Sequence, residues 1–319
     1  MHDRIAARFR RFADLEADGR SPLYASLARG VADDADALAF LARLPGAKQQ
    51  PNLLFAAVRH LCGTPRHWTH FRALLSDNAD AVRTLMLARR TQTNEPARCA
   101  TLLPVLARLP QPLALLEVGA SAGLCLLPDH YAYRYGAHHL EPPASAPPLF
   151  ACNASAATPL PQALPRVAWR AGLDLDPIDI DCADDVAWLE TLVWPEQGER
   201  LDRLRAAIAA AQVTRPKVMR GDLLIDLPAL AAQAPRGATL VVFHSAVLAY
   251  VAGQAARDRF AATVRGLGAV WVCNESPAAF PQISAGVAAN QAGGRFLLAV
   301  DGEPVAWTDP HGASIEWLQ

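Results

Sequence analysis

The chain has 319 residues and a formal net charge of −1, long enough to bury a substantial core without disulfide or metal staples. Hydrophobic residues make up 52% and charged residues 19%, which excludes disordered, collagen-like, coiled-coil and low-complexity chains. No apolar run reaches the roughly 18 residues of a membrane span, and the start, Met1-His2-Asp3-Arg4, lacks the apolar stretch of a secretory leader. A soluble, cytoplasmic protein without a membrane partner is therefore expected. The six cysteines (62, 99, 125, 152, 182 and 273) show no CxxC pair and no His at ligand spacing. Neither a disulfide framework nor a metal site is expected, and they read as small buried apolar residues.

Charge is unevenly distributed. Residues 1–110 hold 16 Arg or Lys against 10 Asp or Glu, and residues 111–319 hold 14 against 21. Either a basic segment packs on an acidic body, or its arginines recruit an anionic substrate. The overall balance and the lack of an aromatic-interleaved basic stripe disfavour nucleic acid as a partner.

From Arg4 to Leu109 apolar residues recur at helical spacing between breakers, as in Ile5, Phe9, Phe12, Leu15 before Gly19, predicting an N-terminal helical segment over 1–110. Ser21-Pro22, Pro51-Asn52 and Asn94 ahead of Glu95-Pro96 read as helix starts. After Pro110 short apolar runs alternate with helical stretches. Strands are predicted at 113–118, 167–175, 217–220, 239–243 and 269–273, with helices near 122–133, 183–211, 226–233 and 253–266. This is the pattern of an open, mostly parallel α/β sheet over 111–319. Phe296–Val300, Asp301-Gly302 and Glu303–Trp307 read as an antiparallel hairpin. The Pro-rich stretch 136–166 reads as an inserted loop or lid with one short strand near 149–153.

The most specific short feature is Glu117-Val118-Gly119-Ala120-Ser121-Ala122-Gly123, a strand running into small residues. Three readings stay open: a cofactor loop where backbone approaches a ligand closely, a GxSxG nucleophile elbow presenting Ser121, and a turn without a ligand. The elbow would need the order Ser, acid, His, which Asp301 and His311 could supply. Yet the helical first 110 residues leave no room for the strands and oxyanion loop that precede such an elbow. Downstream, Asp174-Leu175-Asp176-Pro177 and Gly221-Asp222 place carboxylates at the carboxyl edge of the sheet, where acidic side chains bind ribose hydroxyls.

These stretches resemble class I S-adenosylmethionine-dependent methyltransferases: Glu117 to Gly123 is similar to their acidic-Gly-x-Gly-x-Gly motif, with Ser121 in place of the middle Gly. The resemblance implies a Rossmann-like methyltransferase sheet of five parallel strands plus the hairpin, with S-adenosylmethionine as cofactor. Gly119, Ser121 and Gly123 would line its methionine part, with Glu117 ahead of them, Asp174 the ribose and Asp222 the adenine amino group. Nearly the whole chain also resembles a bacterial family known as domain of unknown function 2332. The matching stretches are Ser21–Tyr24, Gln50–Leu54, Gln92–Glu95, Glu117–Gly123, Trp169–Asp174, Val193–Gln197 and Phe243–Ser245. That resemblance implies methyl transfer to a small molecule but names no acceptor.

Methyl transfer is an in-line displacement in which alignment and exclusion of water matter most and a general base is optional. His244, at the end of the fourth strand, is a candidate base or a capped core histidine. Glu275, at the end of the fifth, would orient substrate or cap a loop. The polar joint Gln92, Asn94, Glu95 and Arg98 is expected to complete a substrate pocket or to be a solvated turn, and Trp194 with Glu196 to close the other side or to anchor a helix. A hydrolase using Ser121 and a non-catalytic binder of a nucleotide-like ligand are the alternatives.

Overall fold

The architecture was taken from a computed structural model that describes residues 1–92, 94–143, 146–287 and 292–318. Thr93, inside the Gln92–Glu95 stretch, and residues 144–145 of the Pro-rich insertion lie outside the described residues. In chain order the helices are α1 (His2–Phe12), α2 (Pro22–Asp33), α3 (Ala35–Ala42), α4 (Pro51–Cys62), α5 (Trp68–Asp77), α6 (Ala79–Ala88), α7 (Arg98–Leu106), α8 (Ala183–Leu192), α9 (Gly198–Thr214), α10 (Leu227–Ala231), α11 (Gln254–Gly266) and α12 (Pro281–Ser284). The strands are β1 (Leu113–Val118), β2 (Ala132–Tyr135), β3 (His138–Leu140), β4 (Leu149–Ala151), β5 (Asn153–Ala154), β6 (Val167–Asp174), β7 (Lys217–Arg220), β8 (Thr239–Ser245), β9 (Val270–Glu275), β10 (Phe296–Val300), β11 (Glu303–Thr308) and β12 (Ser314–Trp317). None of the helices is long and apolar enough to cross a membrane among the described residues.

The chain forms two compact units, one of residues 1–93 with 182–202 and one of residues 94–181 with 203–319. The expected boundary at Pro110 is thus displaced, because every residue of α7 is buried and its elements bond within the sheet unit. Tyr135 Oη, for example, donates to Ala100 O.

The helical unit is built on aromatic packing. Phe55 meets Phe9, Phe12, Tyr24 and Phe71 at ring separations of 4.9–6.1 Å, geometry that adds to area burial. Ser21 caps α2 by accepting from Tyr24 N at 3.1 Å with Pro22 in the first turn, as the sequence signal predicts. Residues 182–202 belong here because Trp188 is fully buried in this core and its indole donates to Arg90 O. Arg89 pairs with Asp184 and Asp185 on α8.

The sheet unit has a large mixed sheet ordered β5-β12-β11-β10-β9-β8-β1-β6-β7. Strands β7, β6, β1, β8 and β9 pair in parallel in that order, while β10, β11 and β12 add antiparallel. The hairpin forms around Asp301-Gly302 as expected, with Val300 opposite Glu303. β1 is buried along its whole length, which explains its apolar run from Leu113 to Leu116.

Three predicted elements differ. The helix expected at 122–133 is replaced by short 3₁₀ turns at 124–126 and 128–130 running into β2. Gly123 is left-handed, Pro128 interrupts the run, and Tyr131 and Tyr133 donate their hydroxyls to Leu124 O and Pro128 O, fixing the turns against helix formation. The helix expected at 183–211 is split at 193–197, which contains Pro195. Asn94 is not the cap of α7, whose start at Arg98 has no side-chain cap. A small second sheet, β3-β2-β4, and the last strand β12 were not anticipated.

Candidate functional site

The carboxyl ends of β1, β6, β8 and β9 bring most of the expected residues together in the sheet unit. The bend after β1 is tightly wound, with Gly119, Ser121 and Gly123 all at positive φ. Its amides are already spoken for by the protein. Gly119 N donates to Leu173 O at 2.7 Å, Ser121 N to Asp174 Oδ2 at 2.8 Å, and Ala122 N to Asn94 Oδ1 at 3.0 Å. Asn94 Nδ2 in turn donates to Ser121 Oγ at 2.6 Å. The other Asp174 oxygen accepts from Asp176 N at 2.8 Å. Asn94, Ser121 and Asp174 thus form one hydrogen-bonded cluster on the bend.

A Cβ on Gly119 would lie 2.3 Å from Val247 Cγ2, so the close approach that this glycine permits is made by Val247. Gly119→Ala is expected to cost about 1–2 kcal/mol for a left-handed L-residue and about 1–3 kcal/mol for displacing Val247. Chemical denaturation of the purified variant measures the sum, and an unchanged midpoint would contradict this packing.

Glu117, at the end of β1, is buried, and its Oε2 has no hydrogen-bond partner among the described residues. Burial pushes its carboxyl well above the ordinary range, Cys125 and Asp174 adding to the rise and Arg98 opposing it. Arg98 is itself buried, its Nε donating to Pro310 O at 2.8 Å and its Nη1 to Ser245 O at 3.1 Å. The Cys125 thiol is also driven up, first by the neighbouring Cys99 thiol and then by burial. Because the Glu117 carboxyl titrates higher in the folded chain than in the unfolded one, stability falls as pH rises above the ordinary carboxylate range. Glu117→Gln is therefore expected to raise the melting temperature at pH 8 and to lose that advantage in acid below that range. A variant less stable than the parent at pH 8 would contradict the assignment.

His244 and Glu275 sit together and fully inside the unit. The His244 Nδ1 lies 2.7 Å from Glu275 Oε1, and Trp271 Nε1 donates to His244 Nε2 at 2.9 Å. The indole can only donate, so Nε2 is the acceptor and Nδ1 carries the hydrogen. Both ring nitrogens are thus engaged by the protein, and the side chain is buried with 0% exposure. Glu275 Oε1 also accepts from Val247 N at 2.9 Å and Leu248 N at 3.2 Å. It therefore anchors the turn that sets Val247 against Gly119.

Asp222 accepts from Leu224 N at 2.8 Å and makes no hydrogen bond to the 119–123 bend. Glu95 is buried, with His311 Nδ1 at 3.6 Å from its Oε2. Asp301 accepts from Trp271 N at 2.8 Å, so hydrogen bonds link neither half of the Asp301–His311 pair to Ser121. Gln92, Trp194 and Glu196 belong to the helical unit. There Trp194 donates to Asn52 Oδ1 at 3.0 Å, and Glu196 accepts from Ser21 Oγ and Leu23 N at 2.7 and 3.0 Å. Trp194 and Glu196 thereby brace the starts of α4 and α2.

Sequence reasoning missed Val247, Trp271 and the buried chain in which Thr308 Oγ1 donates to Asn274 Oδ1 at 2.7 Å and Asn274 Nδ2 to Ser245 Oγ at 3.1 Å. The one available signal was Phe243-His244-Ser245, where two polar residues follow the apolar run Leu240–Phe243.

A family model described as "Uncharacterized protein conserved in bacteria (DUF2332)" matches residues 6–317. No curated protein and no solved structure matches the chain.

Proposed function

The chain belongs to the DUF2332 family, and from its site we propose that it is an S-adenosylmethionine-dependent methyltransferase acting on a small molecule in the cytoplasm. One observation carries this reading: Glu117, Asp174 and Asp222 follow one another at the carboxyl ends of the neighbouring parallel strands β1, β6 and β7. With them, Glu117 Oε2 is buried and lacks a partner among the described residues. Carboxylates around a bend whose amides are filled by Asp174 and Asn94 favour a cationic, hydroxylated ligand and repel phosphate. The order β7-β6-β1-β8-β9 supports a Rossmann-like methyltransferase sheet, extended here by an antiparallel meander.

On this reading the ligand's ammonium group favours the ionised form of Glu117 and pairs with it on binding, and a second lone pair on each Asp174 oxygen is available to ribose hydroxyls. Asp222 meets the adenine amino group, and Gly119, Ser121 and Gly123 border the methionine part. The cofactor supplies an electrophilic methyl group when bound. The protein's share is to align an acceptor and keep out water, which needs no free histidine and agrees with His244 being engaged on both sides.

Isothermal titration with S-adenosylmethionine and S-adenosylhomocysteine tests this. Saturable binding of both is the expected result, and the absence of heat with either overturns the reading. Binding without methylation of any acceptor in a metabolite panel would favour the non-catalytic binder.

A further inference from the structure

The helical unit carries a second feature that the proposed reaction does not use. Arg4, Arg8 and Arg11 fall on one face of α1, three and four residues apart, and line a cavity of about 590 Å³ floored by Phe12 and Pro51. That volume is within the range of small-molecule sites. Arg8 is pre-positioned, its Nη1 donating to Gly46 O and Gln49 O at 3.1 and 2.9 Å. No carboxylate lies within ion-pair distance of Arg4, Arg8 or Arg11 among the described residues, whereas neighbouring Arg10 pairs with Asp33 at 2.6 Å. The opposing charge in the cavity is Glu16, on which Arg11 and Arg20 act. The start of α4, at Pro51, has no side-chain cap and adds the positive end of a helix dipole.

Three guanidinium groups against one carboxylate, in a cavity of metabolite size, form a site for a compact, multiply charged anion. We propose that this cavity binds a phosphate-bearing small molecule. Guanidinium forks match phosphate oxygens in geometry as well as charge, and the two helical turns from Arg4 to Arg11 suit a ligand with more than one anionic group. The site is independent of the methyltransferase reading, since none of its residues belongs to the sheet unit.

The test is calorimetric titration of the full chain with inorganic pyrophosphate, with a short oligothymidylate as the second arm. Saturable one-site binding of pyrophosphate is expected. It should weaken at least about tenfold in the Arg4→Ala, Arg11→Ala double variant, which removes two charge-assisted contacts, and tighten in Glu16→Gln. Both arginines are exposed, so the variant should melt with the parent, and a melting scan checks this. No heat with pyrophosphate, or binding that the double variant leaves unchanged, overturns the proposal. Oligonucleotide binding that is tighter than pyrophosphate binding and grows with length would also overturn it, in favour of a nucleic-acid surface.

Discussion

Glu275→Ala is expected to destabilise the chain by about 3–5 kcal/mol, the cost typical of breaking a buried, hydrogen-bonded pair from one side. One oxygen of Glu275 accepts from His244, Val247 and Leu248, and all of these donors lie inside the sheet unit. Removing the carboxylate leaves each without a partner, and an orphaned buried donor costs about 1–3 kcal/mol. Glu275→Gln keeps an acceptor oxygen at the same place and should lose less than half as much. Trp271→Phe removes the hydrogen bond to His244 Nε2 while keeping most of the ring volume, and should fall between the two. Urea denaturation followed by tryptophan fluorescence, or by circular dichroism for the Trp271 variant, measures all three. If Glu275→Ala unfolds at the parent's midpoint, the relay from Trp271 through His244 and Glu275 to the Val247 turn is not a structural element.

Asp174→Ala is expected to weaken S-adenosylhomocysteine binding by about 100-fold or more, since hydrogen bonds to a charged group contribute about 1.5–3 kcal/mol each and a ribose offers two hydroxyls. Part of the loss arises in the protein, because Ser121 N and Asp176 N both donate to this carboxylate and the bend loosens without it. Asp176→Ala, which keeps the backbone N–H that donates to Asp174, is the control for a neighbouring surface carboxylate. Its carboxylate faces Arg220 at 2.9 Å across the surface, so its loss should change affinity by less than about threefold, as expected of exposed ion pairs. Equal affinity in the Asp174 variant and its parent would remove the ribose role.

The legible parts of this fold were those where a local signal and the long-range environment agree. β1 was readable to the residue because it is buried throughout and ends at a glycine that must be left-handed. Glu117, Asp174 and Asp222 were readable as edge carboxylates because each stands at or just after the end of a short run read as a strand. The 122–133 segment was misread because its apolar content suits a helix, whereas Gly123, Pro128 and the hydroxyls of Tyr131 and Tyr133 hold it in turns. Asn94 read as a helix cap since Asn before Glu-Pro usually is one. Its actual partners, Ser121 and Ala122, lie 27 and 28 residues away. His244 is the sharpest case. An imidazole at a strand end suggests a base, but the indole of Trp271 that occupies its Nε2 comes from the neighbouring strand, and only the β8–β9 register reveals it. The same holds for residues 182–202, which the sequence places among strands and the fold places with the helices.

The central claim is that Glu117, Asp174 and Asp222 hold an adenosyl sulfonium ligand at one sheet edge. A crystal structure determined with S-adenosylhomocysteine tests it most directly. The account predicts ligand density along the carboxyl ends of β1, β6 and β7, with the ammonium group against Glu117 and the ribose against Asp174. Density elsewhere on the molecule, or an edge still closed by Asn94 and Val247 at saturating ligand, would contradict it.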